Sequence, residues 1–191
     1  MGGCRAVDAQ TEADLVKSAK DGDRSAFKEL FLSHSGRMNA TARALMGNRA
    51  DGLDVAQEAW IKAWKNLGTY NFESRLGTWL HRIVVNTGLD HLRKRQRLQE
   101  RFVAVAAEEC APPVAPESEP AHQLEAKERH EKLASAVARL PDLQRVVLVL
   151  REFEVYSYDE IARELGIARG TVMSRLHTAR QKLMELYSKE A

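Results

Sequence analysis

Polar side chains at helical spacing near the C-terminus are the first candidates for chemistry in this chain. Val172, Leu176, Ala179 and Leu183 recur at spacings of four, three and four, which puts them on one face of a helix. Arg169, Thr171, Met173, Ser174, Arg175, His177, Thr178 and Lys182 fall outside that face. Such side chains bond base edges and phosphate oxygens, as a helix in the major groove must. A second candidate lies upstream, where Tyr70, Asn71, Phe72, Ser74 and Arg75 crowd a connector over residues 68–77. From Arg75 onward, Trp79, Arg82, Asn86, Arg93 and Arg97 recur at helical intervals and form a stripe. Rings that stack on unpaired bases, beside cations that neutralise phosphates, suit single-stranded nucleic acid. Core aromatics beside a solvated cationic face would leave the same pattern.

Catalysis finds no support. Paired carboxylates, a nucleophile beside a base, a glycine-rich phosphate loop and a metal-ligand cluster are all missing at useful spacing. The chain therefore does not read as an enzyme, and no cofactor or metal is expected. Cys4 and Cys110 lie in segments of disordered composition, without a His or second Cys at ligand spacing. They read as incidental thiols in a reducing cytoplasm. No apolar run approaches membrane-spanning length, and no hydrophobic signal core stands near Met1. The Met1-Gly2 start carries Ala6 where myristoylation wants Ser or Thr, so that modification is set aside.

Across 191 residues, 29 Lys and Arg oppose 27 Asp and Glu, so the net charge of +2 does not announce a nucleic-acid partner. Local distribution carries the case instead. Arg93, Lys94, Arg95, Arg97 and Arg101 gather in one stretch, whereas residues 103–122 hold four Glu and no Lys or Arg.

The elements that must position these groups read as helices. After a polar tail, a capping-box-like start at Thr11 to Asp14 opens a short helix with Leu15, Val16 and Ala19, ended by Asp21, Gly22 and Asp23. A longer helix sets Phe27, Leu30, Phe31, His34, Met38 and Leu45 on its apolar side, His34 as a packed core residue, until residues 47–52 break the pattern. The next, over residues 53–67, turns Ala56, Trp60, Ala63, Trp64 and Leu67 inward. Its other face holds Asp54, Glu58, Lys62 and Lys65, with Ile61 among them, and is either solvated or a docking surface. A long helix from Thr78 follows, with Leu76, Leu80, Ile83, Thr87 and Leu92 inward. Residues 103–122 contain four of the five prolines and read as an extended acidic linker.

Beyond it, residues 124–140 are helical, with Leu133, Val137 and Leu140 inward, and Pro141 opens a helix through Glu152. The run Val146 to Leu150, strand-like by propensity, is flanked by helical pattern and stays a buried helix. Ser157 and Glu160 form a capping box, Ile161, Ala162 and Leu165 face inward, and Gly166 stops the helix. With the following helix they make a helix-turn-helix. The expectation is an all-α chain of two small helical domains joined by a flexible linker. Its parts are a disordered tail at 1–10, a first domain at 11–102, the linker at 103–122 and a second domain at 123–191. The domains are expected to fold independently.

In combination, GDRSAF at Gly22 to Phe27, DVAQEAW at Asp54 to Trp60, TWLHRIVVNTGLDHLRKR at Thr78 to Arg95, LPDLQRVVLVL at Leu140 to Leu150 and GTVMSRLHTAR at Gly170 to Arg180 resemble one family. It is the extracytoplasmic-function (ECF) group of sigma factors, two-domain initiation subunits of bacterial RNA polymerase. The resemblance spans about Ala13 to Leu186. It implies that Asp54, Gln57, Glu58 and Ile61 dock on the clamp helices of the polymerase largest subunit. It also implies that Tyr70, Asn71, Phe72, Ser74, Arg75, Trp79, Arg82, Asn86 and Arg93 capture and melt the minus-ten promoter element around a flipped base. Arg169, Thr171, Met173, Ser174, Arg175, His177, Thr178 and Lys182 would read the minus-thirty-five element as duplex. The linker would thread polymerase near the RNA exit path, and an anti-sigma factor would occlude both domains. Members of the family often carry Lys or Arg at the position of Met173 and Arg at that of Thr178, so this recognition helix is less basic than theirs. The competing reading is an autonomous helix-turn-helix repressor or activator, which has no need of a melting loop with Tyr70, Phe72 and Trp79.

Overall fold

The structure is a computed structural model that describes residues 9–102, 121–153 and 156–189. Residues 103–120 of the acidic linker, Cys4 and Cys110 lie outside the described residues, and the last two positions expected in the linker, 121 and 122, open a helix. Every regular element among those described is helical. They are α1 (Ala9–Lys20), α2 (Arg24–Met46), α3 (Arg49–Asn66), α4 (Leu76–Phe102), α5 (Ala121–Ala138), α6 (Asp142–Leu148), α7 (Tyr158–Leu165) and α8 (Arg169–Lys189). A 3-10 turn, Leu67–Thr69, follows α3, and a π-helical turn, Val149–Phe153, extends α6.

Local chemistry explains the boundaries. The Asp23 carboxylate accepts from the Ser25 and Ala26 amides at 2.8 and 3.3 Å and so starts α2. Gly47 ends it in the left-handed conformation, φ 74°. Asn48 then caps α3 by accepting from the Asp51 amide at 2.9 Å. The break expected over residues 47–52 is therefore confined to two residues, and Gly52 lies inside α3. There a Cβ would stand 2.8 Å from the Arg43 Cα, so the bare backbone lets α2 and α3 approach.

Helices α1 to α4 enclose one core, with Val16, Leu30, Val55, Ala59, Ala63, Leu76, Leu80 and Val84 buried. An aromatic cluster closes one edge of it. Phe27 lies 4.6 Å from Trp64 and 5.8 Å from Trp60, centroid to centroid, and Phe31 lies 4.8 Å from Trp60. Trp64, expected inward, is 38% exposed, because Trp60 fills the interior and Phe27 covers only part of the second indole. His34 is half-buried, and its Nε2 lies 2.9 Å from Glu12 Oε1, tying α2 to α1.

A second cluster gathers Val137, Leu140, Ile161, Val172, Leu176 and Ala179 around the fully buried run Val146 to Leu150, which is helical as its flanks imply. Each such burial is worth about 1.5–3 kcal/mol relative to exposure. This cluster also contains Leu45 of α2 and Val85 and Leu89 of α4. The N-terminal and C-terminal helices thus share apolar surface, a coupling absent from the picture of two independent units.

Candidate nucleic-acid interface

The helix-turn-helix is built from local signals. The Ser157 hydroxyl accepts from the Glu160 amide at 3.2 Å, and Glu160 Oε2 accepts from the Ser157 amide at 2.8 Å. That backbone donor, then the Ser157 hydroxyl, holds the Glu160 carboxyl below its usual range. Gly166 stops α7 at φ 64°, and the Ile167 amide returns to the Ala162 carbonyl at 3.0 Å, so the turn is closed by its own backbone. On α8, Val172, Leu176 and Ala179 are buried, whereas Arg169, Met173, Ser174, His177, Thr178 and Lys182 are exposed and Thr171 and Arg175 half-exposed. The Ser174 hydroxyl donates to the Thr171 carbonyl at 3.1 Å and the Thr178 hydroxyl to the Ser174 carbonyl at 3.0 Å. Both oxygens, their protons committed to the helix backbone, keep their capacity as acceptors. Arg180, held by Glu152, is pinned away from that face, and the bond raises its already high pKa.

The upstream loop is built differently. Tyr70, expected to meet nucleic acid, is only 5% exposed, and its hydroxyl donates to the Ser74 carbonyl at 2.6 Å, closing the loop on itself. Burial, with the nearby Glu12 charge, raises its phenol pKa. The Tyr70 ring lies 5.4 Å from Trp79 and 4.8 Å from Phe72. Phe72 sits on this platform, 43% exposed, with φ 62°. A non-glycine residue held in that region costs about 1–3 kcal/mol and persists only where its surroundings impose it. Asn71 turns the backbone beside it, its side-chain Oδ1 accepting from the Glu73 amide at 3.3 Å. Lys20, at the end of α1, donates to the Tyr70 carbonyl, and its ammonium stands 5.0 Å from the centre of the Phe72 ring. Arg75, just before α4, and Arg82, Asn86 and Arg93 along it are exposed, and Ser74 and Trp79 near its start are half-buried.

On α3, Asp54, Gln57 and Ile61 are exposed, Ile61 by 49%, and exposed Leu53 extends the patch. Glu58 is less free. His91 Nε2 lies 2.7 Å from one carboxylate oxygen and Lys62 Nζ 2.8 Å from the other, and the His91 bond, then the Lys62 bond, lowers its pKa.

Comparison with known proteins decides what these surfaces belong to. Residues 30–98 match the family Sigma-70 region 2, and residues 130–183 match Sigma-70, region 4. Over 177 residues, 93% of this chain and 85% of the relative, the sequence is 34% identical to the ECF RNA polymerase sigma factor SigM of Mycobacterium tuberculosis (strain ATCC 25618 / H37Rv). It is 30% identical to the ECF RNA polymerase sigma-E factor of Escherichia coli (strain K12), covering 91% and 92% of the two chains. The chain belongs to the ECF sigma factors. Among solved structures, the sigma factor RpoE in complex with the anti-sigma factor NepR from Bartonella quintana matches at 28% identity and a TM-score of 0.58, covering 85% of this chain and 96% of that one. CnrH in complex with the cytosolic domain of CnrY matches at 25% identity and a TM-score of 0.53, covering 94% and 99%.

As a sigma factor, the protein binds core RNA polymerase and directs promoter-specific initiation; it is not an enzyme. An autonomous helix-turn-helix regulator is not favoured, since the N-terminal helices match region 2. No described helix of this sigma factor is long and apolar enough to cross a membrane, and no group of three or more His, Cys, Asp or Glu among the described residues could hold a metal. Three residues beside the candidate surfaces escaped the sequence patterns: Lys20, Leu53 and His91. Leu53 and His91 are off the periodic faces, and Lys20 meets its partner fifty positions away. Its place in the last turn of a helix would suit any lysine.

Proposed function

We propose that three surfaces divide the work of initiation. Asp54, Gln57, Glu58 and Ile61, extended by Leu53, form the contact with the polymerase clamp helices. Glu58 enters it pre-oriented by His91 and Lys62. Asn71, Phe72, Ser74 and Arg75, with Trp79, Arg82, Asn86 and Arg93 beyond them, take the unpaired minus-ten strand. Tyr70 is the platform beneath Phe72 rather than a reader of bases, and Lys20 fixes the loop from below. Arg169, Thr171, Met173, Ser174, Arg175, His177, Thr178 and Lys182 read the minus-thirty-five duplex. Of the two structural relatives, RpoE is a sigma factor in complex with the anti-sigma factor NepR and CnrH is in complex with the cytosolic domain of CnrY, which supports an anti-sigma factor for this chain and a cytoplasmic place of work.

The strained, half-exposed Phe72 on a buried aromatic platform carries the assignment of the loop, because a pocket that offsets unstacking must exist before the base arrives. Permanganate reactivity of thymines in the minus-ten element tests it. With core polymerase present, Asn71→Ala and Phe72→Ala should retain upstream binding and lose that reactivity. Normal opening by both variants would remove the loop from this role.

A further inference from the structure

Two exposed hydroxyls stand at the centre of the outer face of α8, and neither is free to donate outward. Ser174 Oγ donates to the Thr171 carbonyl at 3.1 Å, and Thr178 Oγ1 donates to the Ser174 carbonyl at 3.0 Å. Two oxygens this close tolerate each other only with a proton between them, so each hydroxyl hydrogen stays on the helix while the side chain keeps this rotamer. Toward a ligand both groups are acceptors. A phosphate oxygen also only accepts, so neither hydroxyl can bond the DNA backbone there. In the major groove the donors left to meet them are the amino groups of adenine N6 and cytosine N4.

The neighbours of Ser174 choose between these two. At about 100° per residue, Ser174, His177 and Thr178 lie nearest the direction opposite the buried Val172, Leu176 and Ala179 in the first turns of α8. His177 can donate or accept through its ring, so the hydroxyls set the polarity of the centre. Met173, 51% exposed, flanks Ser174 on one side, and the half-exposed Arg175 flanks it on the other. Around the helix, consecutive residues thus offer a thioether, an acceptor and a cationic donor. An adenine·thymine pair shows, from purine to pyrimidine, the N7 acceptor, the N6 amino donor, the O4 acceptor and the 5-methyl group. Arg175, Ser174 and Met173 answer the first, second and last of these in order. A guanine·cytosine pair puts the O6 acceptor where adenine has its amino group, against an oxygen that can only accept, and it has no methyl. The reversed pairs fail as well. Thymine would set its methyl beneath the guanidinium, and cytosine would leave both flanking side chains unanswered.

We propose that Met173, Ser174 and Arg175 make α8 a reader of one oriented adenine·thymine pair in the upstream element. Ser174 Oγ accepts from the adenine N6 amino group, Arg175 donates to N7, and Met173 packs on the thymine methyl. Thr178, about 6 Å further along the helix, asks for an amino group at another pair. This rests on the assignment of the outer face of α8 to the minus-thirty-five duplex and names what that face selects.

Binding of the full chain, in complex with core polymerase, to duplexes randomised over the upstream element gives the preferred sequence. Base analogues placed in that sequence then locate the contacts. Purine deoxyriboside, which lacks the N6 amino group, should weaken wild-type binding about three- to tenfold in place of the adenine. Deoxyuridine, which lacks the 5-methyl group, should weaken it about fourfold in place of the thymine. Each loss should vanish in its matching variant. Ser174→Ala should be indifferent to purine deoxyriboside and still sense deoxyuridine, and Met173→Ala should do the reverse. Met173→Lys should raise affinity for every duplex and steepen the salt dependence without sharpening discrimination. All these side chains lie outside the buried face, and circular dichroism checks that the variants keep their helicity. Selection of guanine·cytosine at the pair coupled to Ser174, or full sensitivity of Ser174→Ala to purine deoxyriboside, would overturn the proposal while leaving duplex reading in place. A library without sequence preference, together with unchanged binding by Arg175→Ala, would remove α8 from duplex reading and the proposal with it.

Discussion

The loop around Phe72 and the helix-turn-helix both face nucleic acid in the proposed assignment, yet they are built on opposite principles. In α7 and α8 every backbone feature is relaxed: a capping box, a glycine at positive φ and a regular helix carrying exposed side chains. The loop instead spends packing energy to hold a non-glycine residue at φ 62° over a buried tyrosine, braced by a lysine from another helix. Duplex DNA presents its base edges already ordered, so a rigid helix suffices to read them. An unpaired base must be drawn out of its stack, so the receiving site has to be ordered in advance of it. Preorganisation thus resides in regular secondary structure in one region and in tertiary contacts in the other.

The largest effect is expected where preorganisation is costliest. Phe72→Ala removes both the exposed ring and its contact with Tyr70, and strand opening should fall below detection while a pre-melted bubble template restores much of the transcription. Lys20→Met should act in the same direction but less, raising the promoter concentration needed for half-maximal opening, with Lys20→Arg recovering part of it. Loss of opening that a bubble does not rescue would place the defect outside the loop.

On the duplex side, Arg175→Ala with His177→Ala should cost about 1–3 kcal/mol for each base-specific contact and relax discrimination at the upstream element, measured by competition between promoter variants. A bubble should leave that defect in place. For the docking helix, Glu58→Lys with Ile61→Ser should weaken core binding, followed by fluorescence anisotropy, without altering the thermal transition of the free chain. Unchanged affinity would remove α3 from that contact.

The smallest expected effect concerns acid. Burial pushes the Asp142 carboxyl up, but the Arg95 hydrogen bond and the Arg145 charge outweigh it, and the net pKa lies below the usual carboxylate value. A carboxyl whose folded pKa is depressed contributes stability that is complete above its unfolded pKa and is lost as pH falls through the folded one. The contact between Asp142, Arg95 and Arg145, with Asp51 beside it, should therefore be indifferent to pH near neutrality and loosen only below the usual carboxylate range. Asp142→Asn should flatten that acid limb in a small-angle scattering titration.

The same contrast explains what could be read in the sequence. The helix-turn-helix was legible because its determinants are local: Ser157 and Glu160 lie three residues apart, and Val172, Leu176 and Ala179 mark one face. The buried run Val146 to Leu150 could be assigned to a helix from its flanks. Tyr70 and Phe72 were found as an unusual aromatic pair, but which of them is platform and which is exposed depends on Trp79 and Lys20, and no periodicity governs a loop. Trp64 satisfied the inward pattern of α3 and still reaches solvent, since Trp60 already fills the interior. The bond from Arg145 Nε to the Leu45 carbonyl, at 3.0 Å, was illegible for the same reason, as Leu45 lies a hundred positions away and a buried arginine looks like a surface one in sequence.

Equilibrium binding of wild type, Phe72→Ala and Arg175→Ala to two probes, each in complex with core polymerase, tests the division of labour most directly. One probe is a single-stranded minus-ten oligonucleotide and the other a duplex minus-thirty-five element. Phe72→Ala should lose affinity for the strand alone, and Arg175→Ala for the duplex alone. If either variant weakens both probes equally, or Phe72→Ala holds the strand as tightly as wild type, the two regions do not divide promoter recognition in this way.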